Sequence, residues 1–235
     1  MSKGMPEFRE FKDSSTLVAA LAGQVAGLLR AAIKERGRAS LVVSGGSTPV
    51  PFFAALSELA LDWERVVITL ADERWVDPPD PESNEQLVRQ HLLRNRAAAA
   101  RFVGLKTGAA TALQGEKECG DRLALVPRPF DALILGLGND GHTASLFPQA
   151  ARLGEALALD SGKLCLAITP PAAPHERMTL TLPALLQSRQ IILHLAGPDK
   201  RAVYERALAE GPTEEMPIRA VLRQATSPVT VFWAP

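Results

Sequence analysis

Six short runs of mostly apolar residues, at 40–43, 65–73, 130–138, 163–171, 190–197 and 228–234, punctuate the chain, and segments with helical spacing stand between most of them. A strand with one face in water alternates apolar and polar residues, whereas continuous apolar runs of this length need cover on both faces. The first helical segment begins with Ser14 or Ser15 as its cap. It carries Leu17, Val18, Leu21, Val25, Leu28, Leu29 and Ile33 on one side and stops at Gly37. Further helices are expected at 51–60, 84–94, 182–188, 198–209 and 217–224, with Pro-rich loops at 77–83 and 169–177. Strands alternating with helices predict an α/β fold: an open, mostly parallel sheet covered by helices on both faces, a Rossmann-like three-layer sandwich. All 235 residues are expected to form one domain, since no linker or repeat divides them.

Charge and cysteine content narrow the partners. Lys and Arg number 26, as do Asp and Glu, so no whole-molecule field favours nucleic acid or an anionic membrane, and an anionic ligand needs a local site. Cys119 and Cys165 lack a CxxC spacing and sit among apolar residues, as reduced thiols do. The N-terminal stretch shows no long apolar segment after a basic start, and no apolar run approaches the roughly 20 residues of a spanning helix. The chain is therefore expected to be a cytoplasmic monomer, with a small-molecule partner and neither metal nor cofactor.

In open α/β sheets ligands sit beyond the carboxyl ends of the strands, so the residues just after each run are the candidates for a site. After the first come Ser44, Gly45, Gly46, Ser47, Thr48 and Pro49. Their backbone can approach a ligand closely, and amides at a helix start favour an anion such as phosphate; the same residues also make a tight turn capped by Thr48. The second run delivers Asp72, Glu73, Arg74 and Trp75, which supply a base and an anion clamp or a surface ion pair beside a packed Trp.

The third run enters Gly136-Leu137-Gly138-Asn139-Asp140-Gly141-His142, which satisfies GxGxxG, with Asp160 where a ribose-binding acid could fall. His142 and the early Pro148 weigh against a dinucleotide site, which needs an uninterrupted helix there. Imidazole is the side chain suited to taking a proton from water, and Asp140 could orient it or simply bond the turn's own backbone. Beyond the fourth and fifth runs stand Arg177, a candidate phosphate ligand, and Lys200 in the first turn of a helix. A cation is unfavourable at that end of a helix unless an anion lies nearby.

The segments SGGSTP, ADERWV, GLGNDGHTASLFP, ERMTLTLPAL and GPDK, in this order across about 41–201, resemble the 6-phosphogluconolactonases. DGHTASLFP is the most specific of them. The resemblance implies hydrolysis of a sugar-phosphate lactone in the pentose phosphate pathway, on a fold shared with the glucosamine-6-phosphate deaminases. The deaminases have a similar glycine loop and DGH turn, but continue with a carboxylate where this chain has Ser145-Leu146-Phe147-Pro148. By resemblance, His142 activates water, with Asp72, Arg74 and Asp140 at the reacting end. Gly45 and Gly46 approach the substrate, while Ser47, Arg177 and Lys200 hold its phosphate. A deaminase or isomerase of the same fold is the alternative, followed by a noncatalytic sugar-phosphate sensor. A sensor needs no base and usually carries a DNA-binding module, which the short N-terminal segment and neutral charge do not offer.

Overall fold

The computed structural model describes residues 6–235; residues 1–5, the start of the N-terminal stretch, lie outside it. β1 (Glu7–Glu10) leads to α1 (Ser14–Arg36), β2 (Ala39–Val43), α2 (Val50–Ser57), β3 (Val66–Leu70), β4 (Asp72–Arg74), α3 (Asn84–His91), β5 (Arg101–Val103), α4 (Ala112–Leu123) and β6 (Ala132–Leu135). The chain continues through α5 (Leu153–Leu157), β7 (Cys165–Ile168), β8 (Arg177–Leu180), α6 (Leu182–Leu186), β9 (Ile191–Ala196), α7 (Pro198–Leu208), α8 (Ile218–Leu222) and β10 (Val229–Ala234).

Seven strands in the order β1-β10-β9-β6-β2-β3-β5 form one sheet, and every neighbouring pair is parallel. The apolar runs supply its middle: all residues of β2 and β6 are buried, as a strand covered on both faces requires. On α1, Leu17, Leu21, Val25 and Leu29 are fully buried against that core. The helix is capped by Asp13, not by Ser14 or Ser15: the Asp13 carboxylate accepts from the Thr16 amide at 2.7 Å. A carboxylate both satisfies a free amide and complements the helix dipole. Gly37 closes the helix in the left-handed region, its N–H reaching Ile33 O. By length and composition α1 could cross a membrane, which corrects the expectation that no segment approaches that length.

Two of the apolar runs behave differently from expectation. Run 65–73 breaks at Ala71: β3 stays in the large sheet, while β4 turns into a second sheet of order β4-β8-β7. Ala71 joins the two, its N–H donating to Val43 O and its carbonyl accepting from Leu180 N, each at 2.8 Å. Run 163–171 becomes β7 of that small sheet and pairs antiparallel with β8, because the Pro-rich loop returns the chain alongside it. The helix expected over 84–94 ends at His91. No helix comes after the GxGxxG segment before Leu153, so the dinucleotide geometry is missing.

From β2 the chain builds outward to β3 and β5, then crosses back to lay β6, β9 and β10 on the other side. The strand order thus reverses between β2 and β6, and the crevice beyond their carboxyl ends is where such a sheet receives a ligand.

Candidate active site

A cleft of about 470 Å³ opens at that reversal. Of the nine candidate residues in the sequence, Gly45, Gly46, Ser47, Asp72, Arg74, His142, Arg177 and Lys200 line it; Asp140 stands behind His142. The loop after β2 is tied to β6 by Ser44 Oγ, which donates to Ile134 O at 3.1 Å. It enters α2 through Pro49, and no side chain caps that helix, so Thr48 lines the cleft without the expected capping role.

The turn after β6 holds His142 in one orientation. Its Nδ1 lies 2.6 Å from Asp140 Oδ1, and the same oxygen accepts the His142 amide at 3.1 Å. The ring rests on Phe147 with centroids 4.4 Å apart. A Cβ at Gly138 would fall on the ring and on the Asp140 carboxylate, so only glycine permits this packing. Burial works to raise the Asp140 carboxyl, but the hydrogen bonds and charge of His142 outweigh it and leave the group below its ordinary value. With Nδ1–H donated to that carboxylate, Nε2 is the nitrogen left to accept a proton. Two residues on, Ala144 is held at φ 48°, a conformation that stores strain in a residue other than glycine.

Alternation along β4 separates the three charges of DER. Asp72 pairs with Thr179, Glu73 with Met178 and Arg74 with Arg177. Asp72, Arg74, Arg177 and Thr179 therefore share one face, and Glu73 takes the other. Asp72 is buried, and its Oδ2 accepts from Ser145 Oγ at 2.6 Å; the Ser145 amide donates to Thr179 Oγ1 at 3.2 Å. These bonds fasten the His142 turn to the small sheet.

Arg74 and Arg177 face each other directly, an arrangement that is unfavourable for like charges unless an anion comes between them. Arg177 is buried, and its Nη1 has no hydrogen-bond partner among the described residues. Burial, and then the charge of Arg74, lower its affinity for its proton. Lys200 points its ammonium at Asn139 Oδ1, 2.6 Å away, which brings the start of α7 to the His142 turn.

A family known from other sequences spans the whole arrangement. Residues 12–233 match the model for glucosamine-6-phosphate isomerases/6-phosphogluconolactonase. The chain belongs to this isomerase/lactonase family. A relative from Mesorhizobium japonicum named 6-phosphogluconolactonase is 47% identical over 225 residues, covering 96% of this chain and 94% of its own length. One from Rhizobium meliloti with the same name is 45% identical, covering 96% and 97%. The crystal structure of a 6-phosphogluconolactonase from Shewanella baltica superposes with a TM-score of 0.96 at 50% identity, over 99% of this chain and 100% of that one.

Within the isomerase/lactonase-family site, several contributors stand outside the nine candidates. Glu73 is wholly buried and accepts from the Asn84 and Glu85 amides, each at 2.7 Å, from the Arg74 amide at 2.8 Å and from Ser83 Oγ at 3.2 Å. It anchors the start of α3. Burial pushes its carboxyl up to about 7 in spite of these donors. Asn84 then donates to the Asp72 carbonyl at 2.9 Å, and its buried Oδ1 has no partner among the described residues. His194, inside an apolar strand, also lines the cleft. Among the described residues no group of three or more His, Cys, Asp or Glu side chains is placed to hold a metal ion.

Proposed function

We propose that this chain hydrolyses 6-phospho-D-glucono-1,5-lactone to 6-phospho-D-gluconate, in the oxidative branch of the pentose phosphate pathway. The observation that carries the reading is the His142–Asp140 pair at 2.6 Å, presented to a cleft whose other wall is the facing pair Arg74 and Arg177. A lactone is an activated ester, so its hydrolysis needs a base, a partner for the developing oxyanion and correct placement. His142 Nε2 takes a proton from water as the water oxygen bonds to the lactone carbonyl carbon. Loop amides or Arg74 receive the oxyanion, an interaction that contributes about 3–4 kcal/mol when preorganised. The imidazolium, stabilised by Asp140, then gives its proton to the ring oxygen as the C–O bond breaks. Arg177, Lys200, Ser47 and the amides of Gly45 and Gly46 hold the phosphate, and this remote binding orients the reacting carbon.

Asp72 is assigned to the reacting end, held by Ser145 from the segment where the resemblance gives deaminases a carboxylate. That difference favours the lactonase over a deaminase. The reading extends to a metal-independent, cytoplasmic, monomeric enzyme of one domain. The test is a direct lactonase assay in EDTA with spontaneous hydrolysis subtracted. Turnover is expected without added metal or NAD(P), and His142→Asn is expected to lower it by about 10²–10⁴-fold. Loss of turnover on chelation, restored by a divalent ion, overturns the mechanism. Near-normal turnover in folded His142→Asn transfers the base to Asp72.

A further inference from the structure

His194 interrupts the apolar strand β9 with an imidazole. The pairing of Leu135 with Leu193 places Gly136 beside His194 on the neighbouring strand. Directly paired residues of parallel strands point to the same face, and a Cβ at Gly136 would meet nothing within 4 Å. The space next to the His194 ring is therefore cleft, with the ring forming part of its lining. On another side the ring stands edge-on to Phe52, centroids 6.2 Å apart at 80°.

Only 5% of the residue is exposed, and its buried Nδ1 has no hydrogen-bond partner among the described residues. Burial pushes the imidazole down to about 4, so the ring is neutral at physiological pH. An orphaned acceptor is tolerated inside proteins better than an orphaned N–H, which assigns the proton to Nε2. A leucine would fill the same site without an unpaired polar atom, so packing alone does not account for histidine here.

We propose that His194 is a substrate-binding residue whose neutral imidazole donates Nε2–H to a hydroxyl oxygen of the sugar phosphate bound in the cleft. The inference rests on the lactonase function proposed for this site. A neutral, buried donor suits an uncharged hydroxyl, while the phosphate is left to Arg177 and Lys200.

Calorimetric titration of 6-phosphogluconate and of inorganic phosphate into wild type, His194→Gln, His194→Asn and His194→Leu tests this, together with lactone kinetics and thermal melting. A glutamine amide reaches the position of Nε2, whereas an asparagine amide reaches only that of Nδ1. Leu and Asn are expected to weaken 6-phosphogluconate about tenfold or more and to raise KM more than they lower kcat, while Gln stays within about threefold of wild type. Inorganic phosphate is expected to bind all four proteins alike, and His194→Leu to melt at or above the wild-type temperature. Equal 6-phosphogluconate affinity in wild type and His194→Leu overturns the proposal, as does a Gln variant as weak as Leu. A parallel loss of inorganic phosphate binding moves the contact to the phosphate and overturns the hydroxyl assignment. A wild type that neither binds 6-phosphogluconate nor hydrolyses the lactone overturns the function itself, and this inference with it.

Discussion

Arg177 and Lys200 are both assigned to phosphate, yet their surroundings make different demands on them. Arg177 is buried beside a second guanidinium with one nitrogen unpartnered, while Lys200 is more open to solvent and already bonded to Asn139. A bidentate fork with an unmet donor gains more from an anion than a point charge that must leave a partner. Arg177→Ala is accordingly expected to weaken 6-phosphogluconate by roughly 1.5–3 kcal/mol, and Lys200→Ala by less. Neither change is expected to weaken unphosphorylated gluconate as much. Calorimetry with both ligands checks this, and equal losses for the two remove both residues from the phosphate site. Arg177→Ala also relieves the repulsion with Arg74, so its melting temperature is expected to stay within a few degrees of wild type.

At the scale of elements, the large sheet was legible because its central strands are buried on both faces and so read as unbroken apolar runs. Edge strands gave no such signal: β1 is EFRE, and β5 has three residues beginning with an exposed Arg101. The small sheet was hidden for another reason. β4 and β8 carry Asp72, Glu73, Arg74 and Arg177, charged residues whose place in a sheet of their own depends on long-range pairing, which buries all but Arg74. The glycine turns and His142 could be located beyond strand ends, whereas Asn84 and His194 could not: one sits in a helix's first turn, the other within an apolar strand. Gly45 shows how tightly these pieces meet, since a Cβ there would fall on the Asn84 amide, which holds the Asp72 carbonyl. Gly46 has open space around it but a φ of 92°. Gly45→Ala is expected to lower turnover by displacing Asn84, with partial recovery in Gly45→Ala/Asn84→Ala. Gly46→Ala is expected to cost about 1–2 kcal/mol of stability through its backbone alone and to gain nothing from Asn84→Ala. Turnover and urea unfolding of the three variants separate the two causes, and no recovery in the double variant removes steric displacement as the explanation.

For the molecule as a whole, two buried groups on different sheets link stability to pH with opposite signs. His194 falls from 6.5 to about 4 on folding, so the unfolded chain binds the proton more readily. Its contribution is complete above pH 6.5 and is lost as pH falls towards 4. Glu73 rises from 4.5 to about 7, so the folded chain keeps a proton that the unfolded chain has released. Its contribution is complete below pH 4.5 and is lost as pH rises towards 7. Each shift corresponds to about 3 kcal/mol across its range, and between pH 4.5 and 6.5 the two slopes oppose each other. Lowered carboxyls such as Asp13, at about 2, act below that window. Wild type is therefore expected to show a nearly flat urea midpoint from pH 4.5 to 6.5. His194→Leu leaves the Glu73 slope uncovered and is expected to lose stability as pH rises across the window, whereas Glu73→Gln is expected to gain it, from a lower starting point because the amide cannot accept all four donors. Urea unfolding of the three proteins at half-unit steps reads the slopes directly: flat profiles in both variants would show that neither group changes protonation on folding, and a flat profile in one alone would assign the wild-type balance to a different partner.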